Sequence, residues 1–188
     1  MTSENDGVIM YVLYRKGDVM KILAYMVCAA VMMYSTICDF RSYKVSNVIP
    51  VTGWILALIV RFVEGGITGI IGWSQGTVVL FLIGTFVYLT GAIGGADVKM
   101  FSVIGAFLGV NVGITVVVIS LMAGALIGVI KMTVEGTFIS RIRHIAEYVK
   151  CCVMRGELIK YEAGYEGGGV IHFMLPIMIA VICVAGIV

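Results

Sequence analysis

The sequence contains few charged residues. Only 13% of its 188 residues are Asp, Glu, Lys or Arg, which is about half the share usual in soluble domains. Hydrophobic residues make up 61%, the mean hydropathy is +1.08, and several uncharged stretches of about 17 residues or more are long enough to cross a bilayer. The composition therefore excludes a water-soluble fold. It predicts an all-α, polytopic membrane protein with a single domain over residues 1–188.

Cysteine and histidine are too few and too scattered to form a recognisable metal or disulfide site. The five cysteines include no Cys-x-x-Cys pair, and the two histidines, His144 and His172, belong to no His-Glu-x-x-His motif. The sequence therefore supports neither a zinc site nor a disulfide framework, and we expect no metal or other cofactor. The 13 basic and 11 acidic residues are balanced and dispersed, so no nucleic-acid groove is expected either.

Hydropathy predicts about six transmembrane helices. They lie at about residues 19–38, 47–63, 77–93, 98–110, 112–132 and 170–188. Asn111 and Gly113 interrupt an apolar stretch that is too long for one crossing, so we expect two spans joined by a tight turn there. A short, partly buried fourth helix fits as well. Residues 1–18 are predicted to be a polar N-terminal tail, and the first span is retained because it ends in charged residues rather than a cleavage site.

Basic residues predict the orientation of these spans, because Lys and Arg accumulate on the cytoplasmic side. With the 39–46 loop inside, nine basic residues face the cytoplasm and four face outward. This arrangement leaves both termini outside the cell. It also places Asp39 and Asp97 together at the cytoplasmic interface of the plasma membrane.

Residues 133–169 form the only sizeable polar segment between two predicted spans. Between Phe138 and Cys152, apolar residues recur at helical spacing and basic residues mostly take the other face, which predicts a cytoplasmic amphipathic helix. Two placements remain open for it. The helix either lies flat on the inner leaflet, where its basic residues meet anionic lipid, or packs on its own protein as a connector.

Two aspartates are of particular interest, because an acidic side chain in or beside a membrane span needs a partner or a task. Asp39 ends the first predicted span, and Asp97 follows Gly94, Gly95 and Ala96 between the third and the fourth. Two carboxylates held close in a half-dry site share a proton. The ionised one can activate a water molecule while the protonated one polarises a peptide carbonyl. The pattern therefore predicts an aspartyl protease.

Both aspartates lie in motifs that resemble a known family. The segment Asp39-Phe40-Arg41 with Lys44 and Asn47, and the segment Gly-Gly-Ala-Asp-Val-Lys-Met at 94–100, resemble type IV prepilin peptidases, which belong to the GxGD class of membrane aspartyl proteases. The span count and Pro176 in the last span also match.

The resemblance implies a reaction and a set of site residues. Asp39 and Asp97 would be the catalytic pair, removing the basic leader from pilin, pseudopilin or archaellin-type precursors at the cytoplasmic face while the apolar helix of the substrate stays in the bilayer. Supporting roles are implied for Gly94, Gly95, Ala96, Lys99, Asn47 and Lys44. The partners would be this protein substrate and the lipid bilayer, and a homo-oligomer is compatible with the sequence.

The sequence departs from the family in two ways that matter. Ala96 replaces the second glycine of the class motif, and alanine adopts a left-handed backbone less easily than glycine does. Larger relatives carry a cysteine-rich domain that methylates the new N-terminus, and nothing in this sequence could be that domain. We therefore expect cleavage without methylation.

Two other functions compete with a protease. A small proton- or ion-coupled transporter would use Asp39 and Asp97 as relay or ion-binding groups, and a catalytically silent scaffold would only assemble with pilus machinery. A relay should place its ionisable groups at the depth of the bilayer midplane. Both aspartates are instead predicted at one interface, which favours the protease.

Overall fold

The computed structural model describes residues 2–42, 46–134, 136 and 173–187, with only the backbone described for 2–18, 42 and 187. All secondary structure in these ranges is helical, which confirms the all-α prediction. The helices are α1 (Thr2–Ser42), α2 (Val48–Leu89), α3 (Gly95–Val134) and α4 (Met174–Ile187). The chain divides into two compact units, one of Met1–Leu121 with His172–Val188 and one of Met122–Ile171. The packing described below is that of the first unit.

Three of the helices are long and apolar enough to cross a membrane. They are Val19–Arg41 within α1, the whole of α2 and the whole of α3. The helix α4 is also apolar but has only 14 residues. The amphipathic segment predicted over 133–169 lies outside the described residues, apart from the end of α3 and Gly136.

The helix α2 is a hairpin rather than one straight rod. Its backbone leaves the helical region at Gly66, where φ is 58° and ψ is −127°. The indole N–H of Trp73 donates a hydrogen bond to the Trp54 carbonyl at 3.2 Å, although 19 residues of straight helix would span about 28 Å. Two arms, α2a (48–65) and α2b (67–89), therefore run antiparallel.

The helix α3 turns in the same way at Gly109, where φ is 80°. A Cβ atom built on Gly105 and one built on Gly113 would both touch the side chain of Leu80, although eight residues of straight helix span about 12 Å. The arms are α3a (95–108) and α3b (110–134). The turn predicted at Asn111 and Gly113 is therefore wrong by a few residues, because Gly109 alone takes the left-handed backbone and Gly113 packs on Leu80.

Within the described residues, the two turns divide the four helices into six helical segments, the number of transmembrane helices that hydropathy predicts. The boundaries differ most at two places. The helix α1 begins at Thr2 and continues through the segment predicted to be a polar tail, and α2b begins at residue 67, whereas the third predicted span begins at 77.

Close helix packing fixes α2b against α3a. Gly76 and Gly105 face each other so closely that a Cβ on either would collide with the backbone of the other. Small residues allow such approach between apolar helices, where dispersion contacts replace the hydrophobic effect as the main attraction. The fully buried side chains of Leu80, Phe101 and Phe107 fill the core around this crossing.

Candidate active site

The chain order brings four helix ends together at one end of the bundle. The helix α1 ends at Ser42, α2a starts at Val48 and leads away, and α2b returns to Leu89 before α3a starts at Gly95. The start of α4 lies here as well, because the Ser35 hydroxyl of α1 donates to the Met174 sulfur at 3.5 Å. We call this end the aspartate end, since it holds Asp39 in the last turn of α1 and Asp97 in the first turn of α3. The opposite end, with the Gly66 and Gly109 turns, is the turn end.

Asp97 is fixed by the start of its own helix. Its side chain is buried, with 7% relative exposure, and its Oδ2 accepts a hydrogen bond from the backbone N–H of Gly94 at 2.8 Å. Asp97 is the third residue of α3, and a carboxylate at this position that reaches back to the residue before the helix forms half of a capping box. The positive end of the helix dipole also favours a negative charge here.

The glycines before Asp97 provide the space for this bond. A Cβ on Gly94 would lie 3.3 Å from Asp97 Oδ2, a contact tight enough to displace the carboxylate. Ala96 lies within the regular first turn of α3, and the positive-φ glycine of this connection is Gly91, with φ 77°. No left-handed backbone is therefore required of Ala96, because the chain makes its sharp turn five residues earlier.

Asp39 is half-buried in the last turn of α1, and its carboxylate interacts electrostatically with Asp97. The structure thus brings together the two aspartates, which are 58 residues apart in the sequence. Three influences act on the charge of Asp97. Burial removes the water that would solvate an ionised carboxylate, the Gly94 N–H replaces part of that solvation, and Asp39 adds a like charge.

Lys99 and Asn47 also come together at this end. The Lys99 ammonium group donates a hydrogen bond to the Asn47 side-chain oxygen at 2.6 Å, which ties the first turn of α3 to the start of α2. Lys99 is therefore hydrogen-bonded to Asn47 and forms no ion pair with Asp97 in this arrangement. Gly95 is exposed beside Tyr88, and Lys44 lies outside the described residues.

The start of α4 closes one side of the site. The rings of Phe173 and Phe101 meet edge to face, with centroids 6.5 Å apart and planes at 87°, one helical turn beyond Asp97. The Thr36 hydroxyl lies 3.5 Å from the Met174 carbonyl, one turn before Asp39. Residues 173 and 174 therefore pack on the helical turns next to those that carry the two aspartates. His172 lies outside the described residues.

Sequence reasoning missed the aromatic and hydroxyl groups beneath the site. Ser102 is fully buried and accepts a hydrogen bond from the indole of Trp54 at 3.2 Å. A serine and a tryptophan 48 residues apart give no pattern that a single sequence reveals. Among the described residues, no three His, Cys, Asp or Glu side chains come close enough to hold a metal ion together.

Comparison with known proteins agrees with this geometry. A sequence profile described as the type IV leader peptidase family matches residues 26–129. No curated protein and no solved structure gives a significant match. The matched range covers more than half of the chain and includes both aspartates, the Lys99 contact and the α2 and α3 hairpins, and its members are peptidases of prepilin-type substrates. On this match, the chain belongs to the type IV leader peptidase family.

Proposed function

We propose that the protein is an aspartyl endopeptidase in which Asp39 and Asp97 cleave the leader peptide from prepilin-like precursors. The observation that carries this proposal is that the last turn of α1, with Asp39, and the first turn of α3, with the buried Asp97, meet at the aspartate end, near enough for the two carboxylates to interact electrostatically. A membrane peptidase of this family needs a general base and a general acid, and these two groups supply both roles when they hold one proton between them.

In the proposed reaction, one carboxylate of the pair acts as the base and the other as the acid. Asp97 Oδ2 accepts the hydrogen bond from the Gly94 N–H, and we assign the reaction to the other carboxylate oxygen, Oδ1. The ionised carboxylate of the pair takes a proton from water as that water attacks the peptide carbonyl. The protonated carboxylate donates a hydrogen bond to the carbonyl oxygen, and the proton taken from water is then passed to the leaving amine. Burial of Asp97 strengthens each of these interactions by excluding bulk water.

We further propose that all six helical segments cross the plasma membrane and that the aspartate end faces the cytoplasm. The excess of basic residues on the side of the 39–46 loop supports this orientation. The apolar helix of a precursor would then remain in the bilayer beside the enzyme, and its basic leader would stay in the cytoplasm. Holding the scissile bond at the site in this way speeds cleavage by orienting the bond, and not by binding the substrate tightly.

The catalytic assignment is tested by replacing each carboxylate with its neutral amide. We expect Asp39→Asn and Asp97→Asn each to lower the cleavage of a co-expressed precursor by at least about a thousandfold, because both an acid and a base are needed. The precursor should carry a basic leader, a glycine before the scissile bond and an apolar helix. Cleavage is followed as a gel shift.

A matched control is Glu64→Gln at the turn end, where Glu64 pairs with Arg61 at 3.0 Å. This substitution also neutralises a carboxylate of the same protein, so it should leave cleavage nearly unchanged. Normal shortening of the precursor by either aspartate variant, with the protein present in the membrane, would remove that residue from the catalytic pair.

The proposed reaction ends with a free amine. We expect the mature N-terminus released in cells that express only this peptidase to be unmethylated, because the sequence holds no segment resembling the cysteine-rich methylating domain of larger relatives. Mass spectrometry of the purified product measures this directly. A methyl group that appears only when this chain is present would contradict the proposal.

A further inference from the structure

Three hydrogen bonds join α2a to α3a along one seam. The pairs are Asn47 with Lys99 at 2.6 Å, Trp54 with Ser102 at 3.2 Å and Arg61 with the Ala106 carbonyl at 3.4 Å. The α2a members recur every seven residues, and the α3a members are three and four residues apart, so each set lies on a single face of its helix. We call this set of contacts the polar seam.

Ser102 occupies the middle of the polar seam and serves two partners. Its hydroxyl donates to the Lys99 carbonyl at 2.6 Å and accepts from the Trp54 indole. Trp54 is held in turn by α2b, because its carbonyl accepts from the Trp73 indole at 3.2 Å. The first two turns of α3a are therefore attached through Ser102 to both arms of α2.

The polar seam and Asp97 lie on different faces of α3a. At 3.6 residues per turn, Ser102 is about 140° around the helix axis from Asp97. A rotation of α3a about its axis would therefore carry the Asp97 carboxylate sideways with respect to Asp39. Phe101, on the same face as Asp97, meets Phe173 only through an edge-to-face ring contact, whereas hydrogen bonds are directional and resist such rotation.

We propose that Ser102 and Trp54 are positioning residues, whose hydrogen bond sets the rotation of α3a and so the approach of Asp97 to Asp39. This inference rests on the proposed catalytic role of the two aspartates. Misplacement by about 1 Å can cost a reaction about a hundredfold in rate, so a single bond that restricts this rotation can have a measurable effect on turnover.

The other serine of this kind in the first compact unit provides a matched control. Ser120 is also fully buried, and its hydroxyl also donates to the carbonyl three residues earlier, that of Val117, at 2.8 Å. In the described part of the chain it receives no hydrogen bond from a tryptophan. Ser120→Ala therefore removes the same local bond as Ser102→Ala but not the bond between helices.

The test is a double-mutant cycle of Trp54→Phe and Ser102→Ala, with Ser120→Ala as the control. It uses the full chain in detergent and a prepilin-like precursor that the wild-type chain cleaves. We expect each seam variant to lower kcat about tenfold with little change in KM. The double variant should be no slower than the slower single variant, because one shared bond is lost only once. Ser120→Ala should keep the wild-type kcat.

A second readout separates positioning from stability. If the spacing of the two carboxylates changes, both limbs of the pH–rate profile should move in Trp54→Phe and in Ser102→Ala, while the profile of Ser120→Ala stays in place. Two results would overturn the proposal: multiplicative effects of the two seam substitutions on kcat, or slower cleavage that follows only a lower melting temperature with an unmoved pH profile.

Failure of this inference is distinguishable from failure of the proposed function. If Asp97→Asn is inactive and Ser102→Ala keeps full activity, only the positioning role is lost. If Ser102→Ala does not fold, Trp54→Phe still carries the test, because it removes the same bond while the Ser102 hydroxyl keeps its bond to Lys99.

Discussion

At the scale of single residues, Asp39 and Asp97 differ in what their helices do to them. Asp97 lies in the first turn of α3, where burial opposes a negative charge while the Gly94 N–H and the helix dipole partly offset that cost. Asp39 lies in the last turn of α1, where the dipole opposes a negative charge. Two carboxylates in unequal environments are easier to hold in different protonation states than two in the same environment.

This inequality leads to a prediction about pH. We expect the cleavage rate to follow a bell-shaped curve, because the proposed pair works only with one carboxylate protonated and one ionised. Below the lower apparent pKa of the pair both groups hold protons and no base is left. Above the higher one both are ionised and no acid is left. Initial rates of precursor cleavage between about pH 3 and pH 9 measure this, since unperturbed carboxyl groups titrate near pH 4 and sharing a proton separates the two steps.

The control for this measurement is the stability of the protein over the same range, read from its melting temperature. A rate that rises steadily with pH and reaches a plateau, as a single base would give, would contradict a shared-proton pair.

Sequence patterns located the two aspartates but not what surrounds them. A carboxylate next to a membrane span is conspicuous in any sequence because of its cost, so Asp39 and Asp97 could be predicted. Trp54 and Ser102 are ordinary residues in apolar helices, and their bond exists only because two distant segments pack side by side. Tertiary contacts of this kind leave no local periodicity to detect.

At the scale of helices, glycine determines both where segments turn and where they touch. Within the apolar stretch of α3, Gly105, Gly109 and Gly113 are equally spaced, and composition alone does not tell which of them marks the turn. Packing determines which glycine forms the turn. Gly105 and Gly113 both lie against Leu80, whereas Gly109 takes φ 80° beside Arg61. This explains why the number of helical segments was predictable and the position of one turn was not.

The backbone contact between α2b and α3a can be tested with alanine. Gly76→Ala should destabilise the protein by about 3 kcal/mol or more, because the new Cβ would collide with the Gly105 backbone and overpacking that cannot relax is costly. The melting temperature in detergent measures the effect.

Gly72→Ala is the matched control on the same arm. A Cβ at Gly72 meets nothing within 4 Å, and alanine favours a helix by up to about 1 kcal/mol over glycine. This variant should therefore melt at the wild-type temperature or above it. Equal melting temperatures for the two alanine variants would contradict the packing described here.

At the scale of the whole molecule, the chain has an aspartate end and a turn end. The order of the helices places Asp39 and Asp97 at one end. The Gly66 and Gly109 turns lie at the opposite end, where Arg61 is beside Gly109. In the proposed arrangement, the two ends would present chemically different groups to the two aqueous compartments. Hydropathy and basic-residue counts predict the same division, because both respond to the bilayer and not to the details of packing.

The proposed orientation can be tested with two exposed threonines of α2. Thr68 lies near the Gly66 turn and Thr90 near the aspartate end, and the hydroxyls of both are exposed. We expect a membrane-impermeant maleimide to label Thr68→Cys in intact cells and Thr90→Cys only after the inner membrane is opened. Labelling is scored above that of the parent chain, which has its own five cysteines. The reverse labelling pattern would mean that the aspartate end faces the outside of the cell.

The hydrogen bond from Gly94 to Asp97 has a consequence for reading related sequences. A descendant that had lost its peptidase activity would still have a reason to keep an acid at position 97, because that carboxylate caps the start of α3 through the Gly94 N–H. An acid kept at position 97 is therefore not, by itself, evidence that a homologue still cleaves precursors.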